Sequence, residues 1–375
     1  MKHAAGEIRN ADDLVPSVKC GVLVDDTWQR RGYSSLNGVV SVISILSGKV
    51  TYIEVMSQFC KKCDTKTSSF ALKHQCANHK GSSENIEAIG AYRIFERSVN
   101  SRGLIYSEYF GGGDSKGYDE VKDIYGANSV VKCEYIGHVQ KRVGIHLRNL
   151  KNKSKKLGGK GKLTDNFINK LQNYYGIAIR ANVGNLLQMQ SAHACSSAKN
   201  PMHKQCPEGS DSWCKNQRAI SVGKNYKDSN AGLPKSIMNI IKPTYMKLCD
   251  QKLLEKCFHG KTPNANESFN NVLWTILPKN TFVELQTLSL GSSIAVLLFN
   301  DGFSGIIGVL NELGITPGHY TLTHYSSFDT ERIVTSKRQC LPATKLSRKK
   351  KRVNRKMKNK KIENKEGVCY KSGDF

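Results

Sequence analysis

Runs and alternations of apolar residues divide the chain into elements. The stretch VKCGVLVD, Val18 to Asp25, is a nearly continuous run of β-branched and small residues and predicts a fully buried strand ending on Asp25. VVSVISILS and KVTYIEVMS predict two more strands, with Gly48 and Lys49 in a tight hairpin between them. GSSENIEAIGAYRIFERSVN has helical spacing, with Ser82 or Ser83 as N-cap and Ile86, Ile89, Ile94 and Phe95 on the buried side. LIYSEYF predicts a strand, followed by a glycine turn and a short helix. SVVKCEYIG predicts a further strand and HVQKRVGIHLRNLKNK a basic helix. The order is three strands, then helix, strand, helix, strand, helix. It predicts an α/β fold in which an antiparallel meander joins strands that alternate with helices in a mixed sheet. In such a sheet the first and fourth strands are neighbours.

KNKSKKLGGKGK, Lys151 to Lys162, reads as a Gly/Lys linker. LTDNFINKLQNYYGIAIRANVGNLLQMQ then predicts one or two helices capped by Thr164 or Asp165, and LPKSIMNIIKPTYMKLCDQKLLEKCFHG predicts more helix. NANESFNNVLWTIL predicts a helix with Glu267 in its first turn and Asn264 or Asn266 as cap. The expected organisation is an arm over 1–18, a core over 19–150 interrupted by a Cys/His insert at 60–79, and a helical insertion over 151–263. The end of the core and C-terminal helices follow over 264–336, then a basic tail over 337–375, expected to be disordered because it is charged and poor in apolar residues.

Charge narrows the class of partner. The net charge is +26, and Lys337 to Lys365 carries fourteen basic residues and one acid, or +13. The rest of the excess is spread over the body, which points to a polyanion, since each phosphate contact gains from counterion release. RKKKRVNRKMKNKK suits a nuclear address or a nonspecific nucleic-acid contact, and the basic helix from His138 to Lys153 suits the DNA backbone. The N-terminus, MKHAAGEIRN, has no apolar run of a signal peptide, and SSIAVLLFNDGFSGIIGVL is broken by Asp301 and glycines before reaching the ~18 residues of a span. An intracellular, reducing setting is expected, where the 12 cysteines favour zinc over disulfides. Cys60, Cys63 and Cys76, with His74 or His79 as fourth, have the spacing of a structural zinc site. A second group comprises His193, Cys195, His203, Cys206 and Cys214.

Asp25 at a strand end and Asp114 after the glycines of FGGGD belong to neighbouring strands. Two like charges brought that close need a cation between them. Mg²⁺ takes one or two carboxylates plus water and phosphate oxygens, and two such ions can hold the attacking and leaving oxygens of a phosphoryl transfer. Glu267 is the candidate third acid.

Six strings in order, VDDTWQRRGYSSLNGV, GDSKGY, IGHVQKRVG, GKGKLTDNFINKLQNYYGIAI, CPEGSDSWC and PNANESFNNVLW, resemble the catalytic domain of Mutator-like transposases from about Cys20 to about Gly318. The resemblance implies a ribonuclease-H-like core with a mainly helical insertion, and DDE-type cutting and joining of double-stranded DNA. It assigns Asp25, Asp114 and Glu267 as the Asp/Asp/Glu triad holding two Mg²⁺ or Mn²⁺ ions. It also implies Trp28, Arg30 and Arg31 beside the first acid to meet DNA, with His138, Lys141 and Arg142 on the basic helix. His203, Cys206 and Cys214 match a family motif, with His193 preferred to Cys195 as fourth zinc ligand. A nuclear protein acting on paired DNA ends, as a homodimer, completes the expectation.

The chain departs from the family pattern in places. Asp26 stands where glycine follows the first acid, and Gly112 where an Asp often precedes the second. Tyr135 stands three residues before His138 where a Cys or Asp is common, with Cys133 two residues earlier, and the run from Leu187 to His193 is shorter. These open a second reading, a catalytically inactive, transposase-derived DNA-binding protein. A third, a basic zinc scaffold without enzymatic history, requires the three acids to lie far apart.

Overall fold

The computed structural model describes residues 1–9, 17–30, 35–60, 77–79, 84–111, 116–154, 157–159, 161–191, 208–212, 214–226, 233–261 and 263–366. It divides into two compact units, Met1–Val296 and Leu297–Phe375. No described helix is long and apolar enough to cross a membrane.

The first unit opens with α1 (Lys2–Arg9), followed by β1 (Val18–Trp28), β2 (Asn37–Ser44), β3 (Val50–Ser57), α2 (Glu84–Arg102), β4 (Leu104–Gly111), α3 (Lys116–Val121), β5 (Val131–Glu134) and α4 (Ile136–Lys153). Nearly continuous buried runs make β1 to β3, and Gly48, at φ 68°, turns β2 into β3. The sheet order is β3-β2-β1-β4-β5. β1 pairs antiparallel with β2 and parallel with β4, so it is the central strand at which direction changes. This is a mixed α/β sheet with helices, consistent with a ribonuclease-H-like fold.

Even-numbered residues of β1 (Cys20, Val22, Val24) pack with Ile86, Ala91, Ile94 and Phe95 of α2 and with Leu104 and Tyr106 of β4. Ala5 and Ile8 of α1 join that core. Alanine and isoleucine spaced along one helical face provide the reason.

The second core is helical. α5 (Asp165–Ala181) is capped by Thr164, whose hydroxyl accepts from the Phe167 N–H at 3.2 Å. α6 (Leu186–Ser191), α7 (Lys215–Ser221), α8 (Lys235–Leu248) and α9 (Gln251–Glu255) follow. Ile136, Val139, Val143 and Leu147 of α4 pack with Leu171, Tyr175, Ile237 and Leu254. The basic helix therefore belongs to this helical core, because α4 turns its apolar stripe to α5 and α8.

α10 (Asn264–Ile276) returns to the sheet. Its N-cap is Pro263, with Asn264 and Asn266 already inside the helix, a correction to the expected cap. α11 (Leu285–Asp301), α12 (Ser304–Glu312), α13 (His319–Cys340) and α14 (Pro342–Glu366) complete the chain. In the second unit the Asp329 carboxylate accepts from the Phe303 and Ser304 N–H groups, each at 2.9 Å, capping α12. The segment 342–366, expected to be disordered, is helical because lysine, arginine and glutamate are good helix formers even with nothing to bury.

Candidate active site

The candidate site lies at the carboxyl end of the central strand. The β1–β4 ladder stops at Leu23 and Phe110, whereas the β1–β2 ladder continues to Trp28 and Gly38. β1 therefore runs three residues beyond Asp25, where the sequence suggested it would end. Asp25 is half-buried where β4 has stopped pairing, opposite Ser41 of β2.

Strand alternation separates the two adjacent acids. Asp26 falls in phase with Val22 and Val24, toward α2, where the charge of Glu87 acts on it. Asp25 and Thr27 fall on the opposite phase and meet α10. Asn270 Nδ2 donates to Asp25 Oδ2 at 2.8 Å, and Trp274 Nε1 donates to Thr27 Oγ1 at 2.7 Å. Glu267 precedes Asn270 by three residues on the same helical stripe and is exposed. The segment after α10 also ties back to these strands. Gln29 donates to the Thr281 carbonyl, and Asn37 Nδ2 donates to the Val283 carbonyl at 2.8 Å.

The electrostatics mark a site short of positive charge. Burial pushes the Asp25 carboxyl up to about 7, assisted by the charges of Asp26, Glu87 and Glu267 and opposed by the Asn270 hydrogen bond. Asp26 is pushed up to about 6 by burial and then by Glu87, with a hydrogen bond to Trp28 pulling it down. Burial raises the Tyr135 phenol, and the charge of Asp25 adds to the effect. The Tyr135 hydroxyl donates to the Phe110 carbonyl at 3.0 Å, tying the start of α4 to the end of β4. His138 is held below its ordinary value by burial and by Lys141 and Arg142, while Glu134 and Glu267 pull it upward. The charge of Glu267 thus acts on both Asp25 and His138.

The sequence matches the model of the Mutator-like transposase family over residues 3–214. The chain belongs to that family. No curated protein matches it. Membership gives this Mutator-like transposase a transposase role, and with it DNA as partner and a general dependence on divalent metal. The match takes in Asp25 and Asp114 and stops before Glu267.

The residues expected at the transposase site are placed as follows. Asp25 on β1 meets α10 through Asn270, and the charge of Glu267 on that helix acts on it; Asp114 lies outside the described residues, between Gly111 and Lys116. Among the described residues no three His, Cys, Asp or Glu side chains gather closely enough to hold a metal ion. Trp28 is half-buried and packs against the α2 core, and Arg30 is exposed; Arg31 is outside the described residues. Lys141 is exposed, whereas Arg142 pairs with the buried Glu134 at 2.7 Å, a structural partner that the DNA-contact expectation did not foresee. Of the zinc sets, Cys60, His79 and Cys214 are described; Cys63, His74, Cys76, His193, Cys195, His203 and Cys206 lie outside the described residues. The flanks of the first insert meet at the end of β3, where the Asn78 and His79 N–H groups both donate to the Ser57 carbonyl at 3.2 Å.

Sequence reasoning missed Asn270, Trp274, Glu87 and the divergence of Asp25 from Asp26. Helical spacing from Glu267 could have found the first two, and period-two alternation the last. Glu87 approaches Asp26 only through packing of α2 on the sheet.

The family's metal requirement suits these residues. Asp25 is surrounded by acids, and the buried Oδ1 atoms of Asn266 and Asn270 have no hydrogen-bond partner among the described residues. Mg²⁺ and Mn²⁺ favour oxygen donors and relieve repulsion among carboxylates.

Proposed function

We propose that the chain cleaves double-stranded DNA and joins a DNA 3′-hydroxyl to a target strand, with Asp25, Asp114 and Glu267 as the three acids that hold two Mg²⁺ or Mn²⁺ ions. The observation that carries this reading is the meeting of Asp25 on β1 with the Glu267 helix across 245 sequence positions, through the Asn270–Asp25 hydrogen bond. When bound, the ions would polarise the scissile phosphate and lower the pKa of the attacking water or hydroxyl. The chain itself fixes the acids and orients DNA by charge. Lys141 and Arg30 are exposed cations suited to phosphates, and His138 lies at the rim. Asp26 belongs to the α2 face, so its carboxylate leaves the Asp25 face clear.

Two structural zinc ions belong to the same reading. One would sit on Cys60, Cys63 and Cys76 with His74 or His79, the other on His193, His203, Cys206 and Cys214. The closure of the first insert at Ser57 supports the former. The basic segment in α14 supports nuclear localisation and DNA contact, and action on paired ends supports a homodimer.

Nicking of supercoiled plasmid with Mn²⁺ or Mg²⁺, wild type beside Glu267→Gln, tests the reading. Metal-dependent nicking lost in the variant is the expected result. Equal residual activity with salt-sensitive DNA binding intact would identify a catalytically inactive derivative.

A further inference from the structure

Two hydrogen bonds join α10 to β1, and their spacing matches. Asp25 and Thr27 lie on one face of the strand, two residues and ~6.7 Å apart along it. Asn270 and Trp274 lie on one face of the helix, four residues and ~6 Å apart along its axis. Both bonds therefore close together, at 2.8 Å and 2.7 Å. They run in the same chain sense, Asp25 to Asn270 and then Thr27 to Trp274. A slip of the helix by one residue would break both.

The donors are chemically directed. Only the N–H end of an asparagine amide can face a carboxylate, and an indole nitrogen only donates. Lys279 Nζ lies 5.0 Å from the centre of the Trp274 ring and steadies the indole by a cation–π contact. Phe269 and Leu273 on the same helix are fully buried and supply adhesion, but apolar contact is non-directional and leaves the register open. Glu267 sits one turn before Asn270, so whatever fixes Asn270 against Asp25 also fixes the glutamate.

We propose that Asn270 and Trp274 are positioning residues, forming a two-rung clamp that holds Glu267 in register with Asp25. The clamp rests on the metal-binding reading of those two acids. Trp274 is the more telling member, because it touches Thr27 and neither acid.

The test is Mn²⁺ affinity of the full chain, read by the electron paramagnetic resonance of free Mn²⁺, with thermal melting of the metal-free protein alongside. The variants are Asn270→Ala, Trp274→Phe, Thr27→Val, the Trp274→Phe/Thr27→Val double, and Glu267→Gln. Outer-shell partners of metal ligands typically contribute about tenfold or more in affinity. Asn270→Ala and Trp274→Phe are each expected to weaken Mn²⁺ binding by about that factor. The double variant is expected to bind no more weakly than the worse of its singles, since both remove the same bond. Trp274→Phe keeps an aromatic ring at a half-buried position while removing the N–H, so its metal-free melting point should stay within a few degrees of wild type. Wild-type affinity in Asn270→Ala and Trp274→Phe, with binding lost in Glu267→Gln, would overturn the clamp and leave the metal site standing. Additive losses in the double variant would also overturn it. Wild-type binding in Glu267→Gln would remove the site and the clamp together.

Discussion

Asp25 and Asp26 show how one residue of phase separates two chemistries. Both carboxyls titrate higher in the folded chain than their ordinary 3.8, at about 7 and about 6. The folded state thus binds more protons than the unfolded state across that interval. The stability they contribute is fully present below 3.8 and is lost as pH rises through 6 and 7. In metal-free protein the gap between Asp25→Asn and wild type should widen from pH 5 to pH 8. The variant should be more stable at pH 8 by roughly 1–3 kcal/mol. Mn²⁺ should close the gap by stabilising wild type alone. A pH-independent gap in urea melts would refute the assignment. Arg142 and Lys141 make a second contrast. Glu134 is 4% exposed and pairs with Arg142, so Arg142→Ala leaves a buried charge and should cost about 3–5 kcal/mol in denaturant melts. Lys141→Ala should leave stability within about 0.5 kcal/mol while weakening DNA binding. The reverse pattern would assign Arg142 to DNA.

The elements meet where small residues let them. Gly90 of α2 lies so close to β2 that a Cβ there would stand 2.5 Å from Val40 Cγ2. Gly90→Ala gains helix propensity of about 1 kcal/mol but drives α2 into the sheet, an overpacking cost of about 1–3 kcal/mol. Net destabilisation in a thermal melt is expected, and a melting point above wild type would show that α2 can shift away. This approach holds Glu87 over Asp26, so the same variant should alter the titration of Asp26. The order of strands and helices was legible in apolar periodicity, because each element is amphipathic or buried on its own account. α1 was not, since an eight-residue helix carries too short a pattern. Nor was the place of α4, whose basic face reads the same whether its stripe covers a sheet or another helix.

At the scale of the molecule, charge is divided between a folded body and the terminal helix. α14 carries most of its basic residues on a segment with nothing buried among its described side chains, which suits a polyanion rather than a core. Truncation after Leu341 should therefore lower the slope of log affinity against log salt by several units. It should leave the metal-free melting transition of Met1–Val296 in place. An unchanged salt slope would locate the phosphate contacts in the body alone.

The sequence by itself determined the order of elements, the neighbouring of the first and fourth strands, the family, and the residue types available for chemistry. These follow from local periodicity, from the topology that short connections allow, and from strings of side chains read in order. The tertiary structure decided which faces meet. It carried the Glu267 helix across 245 positions to Asp25, turned Asp26 toward Glu87, gave Arg142 to Glu134 and set Trp274 on Thr27. Such pairings depend on the packing of distant surfaces, and no local pattern encodes the distance between residues that only the folded chain brings together.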